Sequence, residues 1–98
     1  MRAVLYLRVS TDDQQSPADS FAWQRARATE LVARLGGVVV DEVGDVGVSR
    51  SIPWKRRPGA SALLDRVRQG HPDFDVIVSA EVARSFGAIR ARVCSAFA

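Results

Sequence analysis

Apolar residues run almost without interruption through Ala3-Val4-Leu5-Tyr6-Leu7, close on Arg8, and give way to the polar stretch Ser10-Thr11-Asp12-Asp13-Gln14-Gln15. A run that is apolar on every residue, instead of on alternate ones, predicts a strand buried on both faces, as in parallel sheets. From Asp19-Ser20 the spacing changes. These two residues suit a helix N-cap, Ala28, Leu31, Val32 and Leu35 recur at helical spacing, and Gly36-Gly37 supplies the stop, so a helix is expected over Phe21–Leu35. Its wet side carries Arg25, Arg27 and Arg34. Val38-Val39-Val40 through Val43 predicts a second, β-branched strand, followed by a long irregular segment from Gly44 to Pro58. Leu63, Leu64 and Val67 share one face of a helix expected over Ala60–Gln69, with Gly70 after it. His71-Pro72-Asp73 then turns the chain into a third strand, Phe74–Ser79, and the Ala, Arg and Ile content of Glu81–Ala98 predicts a last helix.

The alternation is β-α-β-α-β-α. It predicts an α/β fold of three layers, a mainly parallel sheet with helices on its faces. Ligands of such sheets meet the protein at the carboxyl ends of the strands. Those ends are Arg8-Val9-Ser10, Gly44-Asp45 and Ser79-Ala80-Glu81. A loop as long as Gly44–Pro58 is either mobile or functional.

Composition narrows the classes. At 98 residues and 47% hydrophobic the chain is one small domain, too apolar for a disordered segment. No apolar run approaches the roughly 20 residues needed to span a bilayer, and Met1-Arg2 leads into Ala3 without a signal-type apolar region, so a cytoplasmic location is expected. The single cysteine, Cys94, excludes an internal disulfide and multi-cysteine zinc patterns and suits a small apolar position. Lys55 is the one lysine among 14 basic residues, and the net charge is +3. Arginine's planar fork suits bidentate phosphate contact, which permits a nucleic-acid partner; a coding bias towards arginine explains the same count.

At the first strand end, Arg8 and Ser10 are two residues apart, so extended backbone points both to one side. This places a guanidinium beside a hydroxyl. Ser10-Thr11-Asp12 also suits a side-chain-capped turn after the strand, and spacing alone favours that reading. The only histidine, His71, precedes the third strand at the opposite edge, so topology offers no Ser-His-Asp triad and acyl transfer is disfavoured. Phosphoryl transfer asks for positioning and for neutralised charge, which arginines supply; Arg8, Arg57 and Arg84 all lie at or just beyond strand ends.

Tyr6-Leu7-Arg8-Val9-Ser10-Thr11-Asp12-Asp13-Gln14 resembles the opening motif of the serine recombinases, the resolvase and invertase family. The likeness continues through Gln24-Arg25, Asp45-Val46-Gly47-Val48-Ser49, Arg57-Pro58 and Phe74–Val78, covering about residues 2–86. The resemblance implies a resolvase-like catalytic domain acting on DNA, with no metal and no energy cofactor, as a dimer or tetramer. It implies Ser10 as the nucleophile that forms a 5′-phosphoserine link and Arg8 as the residue binding the scissile phosphate. Gln24 orders the pocket, Arg57 reaches in from the long loop, and Arg84 stands for the first arginine of the family's Asp-Arg-x-x-Arg segment. Lys55, Arg56 and Arg57 beside Trp54 then suit a DNA-backbone patch, the alternative being a solvated run with Trp54 pinning the loop to the core.

The departures are specific. Ala83 stands where the family has Asp, Gly87 where it has the second arginine, and Arg90 lies about one turn further on; residues 87–98 diverge altogether. The expectation is a partial catalytic domain, incomplete at its C-terminus, without a DNA-binding domain and unable to recombine DNA alone. Two other readings stay open. One is a receiver-like module with Asp12, Asp13 and Asp45 around Mg²⁺, although the third strand ends in Ser79-Ala80 where a phosphoacceptor aspartate would be wanted. The other is a catalytically silent interaction domain using an apolar stripe of Ile89, Val93 and Phe97.

Overall fold

The computed structural model describes residues 1–10, 16–69, 73–79 and 92–95. The elements are β1 (Arg2–Val9), α1 (Pro17–Arg34), β2 (Val38–Val46), a 3₁₀ turn (Trp54–Arg56), α2 (Pro58–Arg68), β3 (Val76–Ser79) and β4 (Arg92–Ser95). The four strands form one parallel sheet in the order β2-β1-β3-β4, as the α/β reading requires.

The near-continuous apolar run of β1 is explained by its central place. Val4 and Tyr6 face a core built with Trp54, Ala60, Leu63, Leu64, Val67, Phe74 and Ile77, on the α2 side. Ala3, Leu5 and Leu7 face the other core, with Ala28 and Val32 of α1 and Val76 and Val78 of β3. Alternate residues of one strand therefore serve two layers, so both parities must be apolar. β2, at the sheet edge, is buried only at Asp45, and Val38, Val39 and Val40 remain exposed. Its pairing with β1 slips by one residue between Ala3 and Val4.

β3 starts at Val76, two residues later than the expected Phe74, and four further differences from expectation each have a physical reason. α1 begins four residues early: Ser16 Oγ accepts from the Asp19 amide at 3.2 Å, and Pro17 takes the first turn, where its missing N–H costs nothing. β2 continues to Val46 because its register with β1 runs on through Arg8↔Asp45 and Val9↔Val46, which shortens the irregular loop. α2 starts at Pro58 and not Ala60. The expected helix over Glu81–Ala98 is corrected at residues 92–95, which form a strand. There the backbone groups of Val76–Ser79 pair with Arg92–Ser95, and an open sheet edge outweighs weak helical preference in a segment holding Val and Cys. Val93 lies in that strand, so no helical stripe joins it to Ile89 and Phe97, which fall outside the described residues. No helix among the described residues is long and apolar enough to cross a membrane.

Candidate functional site

The carboxyl ends of β1 and β2 lie side by side, and every sequence-predicted site residue that is described gathers there or on the loop that follows. Beyond Tyr6↔Ser79, the last register pair between β1 and β3, the Arg8 main chain is taken over by a side chain of α1. Gln24 Oε1 accepts from the Arg8 amide at 3.1 Å, and Gln24 Nε2 donates to the Arg8 carbonyl at 2.8 Å and to Ser20 Oγ at 3.0 Å. A buried amide thus mimics a neighbouring strand, fixing the last residues of β1 against the helix. Ser10 follows directly and is half-buried, as is Arg8.

The side chain of Arg8 donates through Nη1 to the Val48 carbonyl at 2.7 Å. Val48 belongs to the turn leaving β2, where Gly47 adopts φ +75°, a conformation open to glycine without strain. The amides of Gly47 and Val48 both donate back to the Val9 carbonyl, at 2.8 and 3.3 Å. The loop is therefore clasped to the end of β1 by backbone and by guanidinium together.

Arg57 has a different environment from its two basic neighbours. Lys55 and Arg56 are exposed on the 3₁₀ turn, whereas Arg57 is 2% exposed. Its Nε donates to the Ile52 carbonyl at 2.8 Å and its Nη2 to the Arg50 carbonyl at 3.0 Å. The guanidinium carbon lies 5.9 Å from the centre of the Trp54 ring. Trp54 is buried with its ring 4.6 Å from that of Tyr6, so it does pin the loop to the core. The exposed part of the suspected basic patch is thus Lys55 and Arg56, with Arg50 also exposed nearby in sequence.

Asp45 and Tyr6 carry a network that sequence spacing does not announce. The Tyr6 hydroxyl donates to Asp45 Oδ2 at 2.7 Å, and the amides of Gly59 and Ala60 donate to Asp45 Oδ1 and Oδ2 at 2.8 and 3.1 Å. Asp45 thereby caps α2 from a neighbouring strand, where the N-cap residue Arg57 supplies no side-chain bond of its own. The close approach requires Gly59: a Cβ there would sit 2.8 Å from Val43 Cγ1 and 3.0 Å from Asp45 Oδ1. Burial, reinforced by the bond to Asp45, pushes the Tyr6 phenol well above its ordinary value; a bond to Arg57 opposes the shift but does not outweigh it. With both oxygens committed to protein donors, Asp45 is a poor ligand for a cation. Among the described residues no group of three or more His, Cys, Asp or Glu is placed to hold a metal ion. Arg84, Arg90, Asp12, Asp13 and His71 lie outside the described residues.

The chain matches the family model "Resolvase, N terminal domain" over residues 3–90. Among solved structures it is similar to the N-terminal catalytic domain of TP901-1 integrase, with a TM-score of 0.67 and 26% identity, over 87% of this chain and 62% of that one. It is similar also to the C-terminal catalytic domain of ISC1926 TnpA, an IS607-like serine recombinase, with a TM-score of 0.58 and 29% identity, over 80% of this chain and 50% of that one. The chain spans less than two thirds of the length of either. No curated protein matches it. With the family match running from the first strand past the third, and the same fold in an integrase and a serine recombinase catalytic domain, this chain belongs to the resolvase N-terminal catalytic domain family of the serine recombinases.

Proposed function

We propose that the chain carries the nucleophile half of a DNA-cleaving site, with Ser10 attacking a backbone phosphodiester. One observation carries the reading: Ser10 emerges half-buried from a strand end whose backbone is clamped by Gln24 and whose Arg8 guanidinium is held at the same edge. Ser10 Oγ, losing its proton, bonds to phosphorus. The bond from phosphorus to the 3′ oxygen breaks, that oxygen gains a proton, and the 5′ phosphate stays on Ser10. Attack by a 3′ hydroxyl from an exchanged strand reverses the step. One phosphate ester replaces another throughout, so the bond energy is conserved. Arg8 neutralises charge spreading over the phosphate oxygens, which a preorganised guanidinium does best where water is partly excluded. Gln24 positions Arg8 and Ser10 through the main chain. Lys55 and Arg56 contact the DNA backbone outside the pocket, Arg84 completes the charge around the phosphate, and paired copies of the protein bring strands together for exchange.

The test uses a chimera in which residues 3–86 replace the matching segment of TP901-1 integrase, assayed on that integrase's DNA with each strand end-labelled in turn. The expected outcome is label retained on the protein under denaturing conditions only from the strand lying 3′ of the break. Ser10→Ala should abolish that retention and leave DNA binding intact. A covalent link that survives Ser10→Ala, or one through a 3′ phosphate, overturns the proposal.

A further inference from the structure

Two arginines close on one loop from opposite ends. At its start, Arg8 Nη1 holds the Val48 carbonyl at 2.7 Å; towards its finish, Arg57 holds the Arg50 and Ile52 carbonyls at 3.0 and 2.8 Å. Between them the loop is nearly self-contained: the Ile52 amide donates to the Ser49 carbonyl at 3.1 Å, and the hydroxyls of Ser49 and Ser51 are 2.9 Å apart. Displacing Arg50 and Ile52 therefore displaces Val48, and with it the acceptor that orients Arg8.

We infer that Arg57 is a positioning residue, which sets the guanidinium of Arg8 through the loop 47–53 and does not itself touch the phosphate. Its burial carries the second half of that statement. At 2% exposure, bonded to two loop carbonyls and to the Tyr6 hydroxyl and set against Trp54, the guanidinium can reach outward only by breaking several charge-assisted bonds. A fork with donors on separate nitrogens is what two carbonyls two residues apart require, and a lysine head group does not supply that geometry. The inference gives meaning to the site only if Arg8 serves a phosphodiester, as proposed above. The coupling itself belongs to the chain free of DNA, and is tested there.

The experiment is nuclear magnetic resonance on the ¹⁵N-labelled 98-residue chain, comparing the parent with Arg57→Met, Arg57→Lys and, as a control for lost stability, Val67→Ala in the core face of α2. In Arg57→Met the Gly47 and Ile52 amides should exchange with solvent roughly ten- to a hundredfold faster, the loss expected for removed bonds to a charged donor. The Arg8 guanidinium resonance should move towards that of a free arginine. Arg57→Lys should fall between, and Val67→Ala should leave the Arg8 resonance in place. A folded Arg57→Met with an unmoved Arg8 resonance and unchanged loop exchange overturns the inference. If Arg57→Met does not fold, the parent decides: an Arg57 Nε–H protected from solvent and correlated across its bond with the Ile52 carbonyl supports it. An Arg57 Nε–H exchanging as fast as that of an exposed arginine overturns it. None of these readouts uses DNA, so failure of the cleavage reading and failure of the coupling remain distinguishable.

Discussion

At the level of single residues, the core beside the site holds a phenol that resists ionisation. Tyr6 is the only tyrosine of the chain, so its titration can be followed without interference. Its pKa in the folded state lies above the ordinary 10.0, first because burial disfavours the phenolate and then because Asp45 stands beside it. An acid whose folded pKa is raised holds its proton more tightly folded than unfolded. The stability this contributes is complete below the unfolded value and declines as pH rises above about 10 towards the folded value. We expect phenolate absorbance near 295 nm to appear together with loss of far-ultraviolet ellipticity, and not before it. Ionisation at pH 10 in a chain that keeps its circular dichroism would show that the hydroxyl is open to water. Tyr6→Phe should remove this alkaline sensitivity and leave one oxygen of Asp45 with a donor fewer.

At the level of elements, α2 depends on β2 for its start. Asp45→Ala leaves the Gly59 and Ala60 amides and the Tyr6 hydroxyl without their acceptor, and loss of a buried cap with unsatisfied donors should cost about 2–4 kcal/mol in urea unfolding. Asp45→Asn keeps one acceptor oxygen and should cost about half as much; equal stability of all three forms would remove the cap from the account. This dependence shows what the sequence could and could not reveal. β1, β2, β3, both principal helices and the parallel sheet were legible because each rests on local periodicity, and Arg8 and Ser10 stood out because a contiguous motif carries them, whereas Gln24 was reached only through the family resemblance. The cap was not, since Asp45 and Gly59 are joined by the fold across an intervening loop. Pro58 gave the one local sign that α2 began early. The burial of Arg57 was not legible in the sequence because its acceptors are backbone carbonyls, which no side-chain pattern encodes. The strand at 92–95 was invisible for a related reason: four residues of mixed propensity become a strand only when β3 offers its edge.

At the level of the molecule, the exposed edge strand is tied to both helical layers by ion pairs. Arg25 of α1 forks onto Glu42, and Arg66 of α2 spans Asp41 at 3.0 Å and Asp73 at 2.9 Å. β2 thus carries a row of paired charges along the edge where unpaired backbone would otherwise invite another strand. The Arg25 guanidinium holds the Glu42 carboxyl below its usual range, the Arg66 guanidinium does the same for Asp73, and the Arg2 main-chain amide for Asp75. A carboxyl with a lowered folded pKa adds stability above its unfolded value, and that stability is lost as pH falls through the folded one, hence below about pH 4. Each exposed pair is worth little alone, so Glu42→Gln should cost less than about 1 kcal/mol at pH 7. Its effect should fade as pH falls below about 4, until the parent and the variant unfold at the same urea concentration. The same loss of charge leaves the exposed Val38, Val39 and Val40 beside an edge no longer guarded by carboxylates. Self-association should therefore rise on acidification before the core unfolds, and light scattering across the acid range at low salt reports it. A monomer down to the pH of unfolding would assign protection of that edge to its one-residue slip against β1 and not to its charges.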